Sequence, residues 1–279
     1  MMRNRIGPVL LLAVLCGVVL AGEDRDARVE EFLSRAKVVS MEEIGTGITR
    51  PQRIYLEQDG ETMKAAFKTV NLHYTRRTRF SDGAQKLNFT DNFAYERAAY
   101  LIDRMLGLRM VPVAVLRTID GKQGAVIEWV GNAISEAERR EQGIAPDDPL
   151  RLPHQRDVMK VFDALILNDD RNLGNELIGV DDWKLNLIDH SRAFRLDKKL
   201  PAGFDVEPIA LPAELYRRLE ALDRASLKAT VGKLLSGPQI KAMLARRDEI
   251  LAKVEADRKR YGDALVFHDG PPEESREQP

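Results

Sequence analysis

Apolar positions change their period several times along the chain, and each change marks an element. Residues 24–38, "DRDARVEEFLSRAKV", space their apolar side chains as a short amphipathic helix does. Ile54 and Leu56 then alternate with polar neighbours, Asp59-Gly60 supplies a tight turn, and Met63, Ala65 and Phe67 alternate on the return. This pattern predicts a β-hairpin. A polar, basic connector, "NLHYTRRTRFSDGAQKLN", leads to a helix that Thr90 or Asp91 can cap. That helix carries Tyr95, Ala98, Ala99, Ile102 and Met105 near helical spacing and stops at Gly107. "VPVAVLRTIDGKQGAVIEWV" predicts a second hairpin about Asp120-Gly121.

From Gly131 onward the pattern turns helical. "LRLPHQRDVMKVFDALIL" reads as an apolar helix, and "ELIGVDDWKLNLI" as a hairpin whose second strand runs from Leu185 to Ile188. The stretches 212–235 and 237–261 read as strongly amphipathic helices. The expected class is therefore α+β, with a small antiparallel β-rich part holding one helix, then a larger, mainly helical part. The seam falls near Trp129 to Gly131. In residue ranges, this gives an N-terminal segment 1–21, a helix and linker 22–39, lobes 40–128 and 129–262, and a disordered tail 263–279.

The first residues change the picture. Arg3 and Arg5 precede an unbroken apolar run from Ile6 to Ala21, with Val19 and Ala21 placed for cleavage. Sixteen helical residues span about 24 Å, short of the roughly 30 Å hydrocarbon core. A cleaved export signal is expected, and membrane contact only through an uncleaved N-terminal segment. Bulky Leu15 before Cys16 argues against lipid attachment there. Cys16 is the only cysteine, so the mature chain lacks disulfides, thiol nucleophiles and Cys-based zinc sites. Losing two arginines moves the net charge from −1 to −3, which gives nucleic-acid binding no support.

Candidate chemistry lies in "LILNDDRNLGNELI" and "LIDHSRAF". Phosphoryl transfer to a hydroxyl needs a positive charge on the phosphates and an acidic partner to hold that charge. It also needs a carboxylate to orient the acceptor, and an Asn with a second carboxylate for magnesium. Asp170 precedes Asn175 by five positions, and Asp189 follows fourteen later. That spacing matches the catalytic and metal loops of protein kinases. Upstream, "MKAAFK" is similar to the strand signature Val-Ala-Ile-Lys, with Lys68 in the lysine position and Glu96 as its partner. Gly45-Thr46-Gly47 gives a short glycine turn for phosphates, although a third glycine is missing.

Together these stretches resemble the atypical kinases related to phosphatidylinositol 3-/4-kinases, over about Gly45 to Arg192. Type II phosphatidylinositol 4-kinases give the nearest pattern, and secretory-pathway casein-phosphorylating kinases and HipA-type serine kinases share the arrangement. The resemblance implies a two-lobed protein-kinase-like fold that uses ATP and Mg2+ or Mn2+. It implies Asp170 as catalytic Asp, Asn175 and Asp189 as metal ligands, Lys68 as phosphate clamp and Glu96 as its holder. Gly45, Thr46 and Gly47 would cover the nucleotide, and the hinge from Ile127 to Val130, with Glu128 and Val130, would meet adenine. His190 stands where Asn or a small residue is usual, no Phe-Gly follows Asp189, and Asn168 replaces the His of ordinary protein kinases.

The expected activity is an exported Mg-ATP-dependent kinase acting on a protein Ser/Thr, a lipid or a glycan hydroxyl. A nucleotide-binding scaffold and an AMP transferase on the same fold are the alternatives. Other features carry plainer readings. Arg76, Arg77 and Arg79 suit a solvated loop, and Asp169 and Asn172 suit loop-shaping. His73, His154, His190 and His268 show no ligand spacing. The sequon Asn88-Phe89-Thr90 matters only in a glycosylating host.

Overall fold

The computed structural model describes residues 25–44, 51–74, 78–79, 85–86 and 89–268. The expected signal, residues 1–21, and much of the basic connector lie outside them. Helix α1, over 25–35, buries Val29 and Leu33, and Ala36 just beyond it is buried too. It stops three residues earlier than its periodicity suggested, because Val38 already belongs to a strand. β1 (Lys37–Glu43) pairs antiparallel with β2 (Gln52–Gln58), which folds back as β3 (Glu61–Lys68). Asp59 and Gly60 both have positive φ, 54° and 84°, as the tight hairpin turn requires. Ile54, Leu56, Ala65 and Phe67 all face the core.

β8 (Ala114–Ile119) and β9 (Lys122–Glu128) complete a five-stranded antiparallel sheet in the order β1-β2-β3-β9-β8. A short ribbon of β4 (Asn71–Tyr74) and β7 (Phe89–Asn92), numbered around the two-residue strands β5 (Thr78–Arg79) and β6 (Gln85–Lys86), precedes helix α2 (Ala94–Leu106). Thr90 and Asp91 do not cap α2, since both pair within the ribbon. Phe93 holds the cap position, and the Asn92 side chain accepts from Ala94 N–H at 2.8 Å. α1 packs on α2 through Glu30 to Arg97 and Tyr100, and Asp26 to Arg104.

After the link at residues 129–132 come β10 (Ala133–Ser135), α3 (Glu136–Gln142) and α4 (Arg151–Ile166). β11 (Glu176–Gly179) and β12 (Leu185–Leu187) make the expected hairpin, and β10 joins it as a third strand. The stretch 212–235 is two helices rather than one. α5 (Ala213–Ala221) ends, and Asp223 accepts from Ser226 N–H at 2.7 Å to start α6 (Arg224–Val231). α7 (Gly237–Tyr261) runs through the helical part with Ile240, Met243, Ile250 and Val254 buried.

Residues 263–268, placed in a disordered tail by composition, are ordered as α8 (Asp263–Val266) and β14 (Phe267–His268). Val266 is fully buried, Phe267 packs edge-on against Tyr216, and β14 pairs with β13 (Leu211–Pro212). Burial of that one turn outweighs the polar composition around it. Residues 269–279 lie outside the described residues. One continuous apolar core runs from Leu33, Ile54 and Ile102 through Leu165 and Leu187 to Ile250. No helix among the described residues is long and apolar enough to cross a membrane.

Candidate active site

Lys68 ends β3 beside β9, in register with Ala125. The approach is close because position 124 is glycine. A Cβ there would stand 2.5 Å from the Lys68 carbonyl oxygen and 2.5 Å from the Phe67 ring. Lys68 Nζ donates to Glu96 Oε1 at 2.7 Å and to Asp189 Oδ1 at 2.9 Å. Glu96 sits on the buried face of α2, an unusual place for a carboxylate without a partner. Burial disfavours both charges, but the attraction of Glu96 and Asp189 outweighs it for Lys68, and the attraction of Lys68 and of His190 outweighs it for Glu96. Lys68 is held well above the ordinary lysine value and Glu96 well below the usual carboxylate range.

The loop after α4 is fixed from several sides. Leu167 ends the helix in the left-handed region at φ 52°, and Asn168 N–H donates to Asp163 O at 2.8 Å. Arg171 reaches Asp163 with two donors at 2.9 and 3.0 Å, Asn175 O at 2.9 Å and Ile188 O at 2.7 Å. Asn172 accepts from Gly174 N–H at 2.9 Å, forming the local turn its position suggested. Glu176 pairs with Leu187, and Ile188 N–H donates to Asn175 O at 3.2 Å, so Asn175 lies opposite the residue before Asp189. Asp189 itself adopts φ 65°, a strained conformation for a non-glycine residue that clusters at functional sites.

Asp170 is held by a residue that carried no expectation. Arg192 Nη1 donates to Asp170 Oδ2 at 2.7 Å and its Nε to Asp91 Oδ2 at 3.0 Å. Asn92 N–H donates to Ser191 O at 2.8 Å, so the β4–β7 ribbon is stitched to the loop after β12 by backbone and side chain together. Asp169 pairs instead with Arg195 at 2.9 Å, away from Asp170's partner.

Neither a protein-family model nor a curated protein sequence matches the chain. Solved structures do. The structure of hydra Fam20 with sugar is similar at TM-score 0.64, with 15% identity, over 86% of this chain and 91% of that chain. The Golgi casein kinase is similar at TM-score 0.62, with 14% identity, over 89% of this chain and 79% of that chain. Its form with Mn/ADP bound gives 0.63 at 13% identity, over 90% and 81%. The fold is kinase-like.

On this kinase-like fold, Lys68, Glu96 and Asp189 come together by direct contact, and Asp170 and Asn175 sit on the loops that flank Asp189. The expected hinge spans the last residue of β9. Glu128 N–H already donates to Val113 O at 2.8 Å, and its carboxylate pairs with Arg25 of α1. Glu128 therefore offers a base at most its carbonyl, and Val130 is left as the other expected hinge contact. Gly45, Thr46 and Gly47 lie outside the described residues, in the connection between β1 and β2.

The donor set suits a hard divalent cation. Asn175 and Asp189 are oxygen donors, and among the described residues no group of three His, Cys, Asp or Glu side chains converges on one point. Magnesium bound through one or two protein ligands and substrate phosphates needs no such group. Sequence reasoning missed Arg192, Arg171 and the partners of His190. Arg192, three positions after Asp189, was the one with a legible signal.

Proposed function

We propose that the chain is an atypical kinase, exported through residues 1–21, that moves the γ-phosphoryl group of ATP to a hydroxyl of a protein, lipid or glycan. The observation that carries this reading is the single ammonium of Lys68 shared between Glu96 and Asp189. It unites a buried holder on α2 with the carboxylate of the metal loop, the juxtaposition that nucleotide phosphates require. The low identities of the kinase-like structures leave activity to the site itself.

In this reading Lys68 binds the phosphates, and Glu96 keeps it aimed. Asp170, oriented by Arg192, accepts a hydrogen bond from the acceptor hydroxyl. The hydroxyl oxygen bonds to the γ-phosphorus while the bond from phosphorus to the β–γ bridging oxygen breaks, and the hydroxyl proton passes to Asp170 as ADP leaves. Asn175 and Asp189 would hold magnesium or manganese, which supplies charge neutralisation on the phosphate oxygens when bound. A sugar in hydra Fam20 and Mn/ADP in the Golgi casein kinase support the choice of a hydroxyl acceptor and a metal–nucleotide donor. The sequence pattern adds the relation to phosphatidylinositol 3-/4-kinases.

The test is a transfer assay. Mature protein is incubated with Mg-ATP or Mn-ATP and with membrane, protein and glycan fractions, and products are read by intact mass. A phosphate adduct supports the kinase reading and an AMP adduct replaces it with adenylyl transfer. Asp170→Ala should keep nucleotide and lose turnover, whereas Asp189→Ala should lose metal-dependent binding. A thermal shift absent for every nucleotide and metal leaves a scaffold.

A further inference from the structure

His190 is fully buried between the two lobes, edge-on to Phe162, yet no step of the proposed reaction uses it. Its backbone N–H donates to Glu96 Oε2 at 3.1 Å. Its Nε2 lies 3.1 Å from Arg171 Nη2, and its Nδ1 lies 3.5 Å from Glu96 Oε2. A guanidinium can only donate, so Nε2 must be the acceptor there. Nδ1 faces the carboxylate without a hydrogen bond to it, so the bond to Glu96 is the backbone one. Glu96 is thus gripped at both oxygens, Oε1 by Lys68 and Oε2 by the residue that follows Asp189.

We infer that His190 is a positioning residue that clamps Glu96, and through it Lys68, to the Arg171 loop of the C-terminal lobe. The inference rests on the kinase reading for its effect on nucleotide, but the clamp is a statement about the fold. Arg171 is anchored independently by Asp163 and by two backbone carbonyls. The imidazole therefore carries a fixed loop's position onto helix α2. A kinase built this way holds its lysine–glutamate pair engaged without waiting for a separate loop to order.

Two substitutions test the Arg171 arm of the clamp. His190→Asn is too short to reach Arg171, whereas His190→Gln keeps an amide oxygen that can accept from it. Affinity for Mn-ADP and the KM and kcat for ATP are measured on the full chain. His190→Asn should weaken ADP binding and raise KM about tenfold with a smaller change in kcat. His190→Gln should stay within about threefold of the original chain on the same scale. Equal losses in the two variants, tracking their melting temperatures, overturn the inference, as does a larger loss in His190→Gln.

A second readout needs no nucleotide. Trace acetylation of Lys68, followed by mass spectrometry, reports whether Glu96 still holds it. Labelling should rise in His190→Asn and stay low in His190→Gln. Equal labelling in both overturns the clamp. Failure of the original chain to bind any nucleotide, with this labelling pattern intact, overturns the kinase reading instead.

Discussion

Lys68 and Asp189, separated by 121 positions, meet in a 2.9 Å ion pair that joins the strand-rich part of the chain to the loop after β12. Glu96 shares the same ammonium from a fully buried position. Removing only the lysine strands that carboxylate in a place that water does not reach. Lys68→Met should therefore cost stability as well as turnover, by about 3–5 kcal/mol, the usual range for breaking a buried pair. Adding Glu96→Gln should recover most of the stability and none of the turnover, because a glutamine oxygen can still accept from His190 N–H. Urea denaturation of both variants checks this. A single variant as stable as the original chain would show that water enters the pair.

Arg192 should affect chemistry more than nucleotide affinity. It joins Asp170 to Asp91 and touches no residue of the Lys68–Glu96 pair. Arg192→Ala frees Asp170 to swing, and misplacement of a catalytic group by about an ångström costs roughly a hundredfold in rate. Steady-state kinetics should show kcat falling between about tenfold and a hundredfold, with Mn-ADP affinity changed by no more than about threefold. An equal loss in both quantities would mean that Arg192 supports the whole cleft and not Asp170 in particular.

How much of this was legible depends on the range of the interaction. Lys68, Glu96, Asp170, Asn175 and Asp189 stand out because each sits at a fixed spacing in a local pattern, and local patterns survive in one sequence. β1 was hidden because its alternation is broken by a bulge between Val38 and Ser40, and nearly all of it is exposed. The break at Leu222 between α5 and α6 was hidden because the apolar period continues across it, and only the Asp223 cap interrupts the helix. Arg192 and His190 act through partners 19 to 101 residues away, and spacing says nothing about such pairs.

Glu136 gives the structure a pH signature away from the cleft. Its carboxylate is buried at the start of α3 and ion-pairs with Arg139, Arg140 and Arg156 at 2.7, 2.6 and 2.8 Å. Burial raises its pKa, but hydrogen bonds from Arg139 and Arg140 and the Arg156 charge outweigh that and bring it down to about 2. A carboxyl held below its unfolded value contributes stability that is present above about pH 4.5 and lost as pH falls through 2. Arg140 is open to solvent, so screening limits the contribution to on the order of 1 kcal/mol. Urea melts should show Glu136→Gln less stable than the original chain at pH 7, with the gap closing in acid. A gap that is constant with pH would assign the loss to packing instead of charge.

Arg246 on α7 is the largest fully buried side chain among the described residues. Its Nε donates to Leu165 O at 2.9 Å, and its Nη1 donates to the carbonyls of Asp197 and, at 3.4 Å, Arg195. Leu165 lies in the last turn of α4, where carbonyls lack helical partners, and residues 195–197 follow the Asp189 loop. One guanidinium therefore fastens both sides of the candidate site to the long helix beneath. Burial lowers its pKa to about 10, which measures how strongly the interior opposes the charge. Arg246→Met removes that opposed charge, which favours the variant, but strands the carbonyls, each at a cost of about 1–3 kcal/mol. The carbonyls outnumber the single charge, so the net loss should be about 2–4 kcal/mol in chemical denaturation. Lysine cannot reach separate carbonyls with a planar fork, so Arg246→Lys should recover less than half of it. Full recovery by lysine would show that charge, and not the fork, holds these segments together.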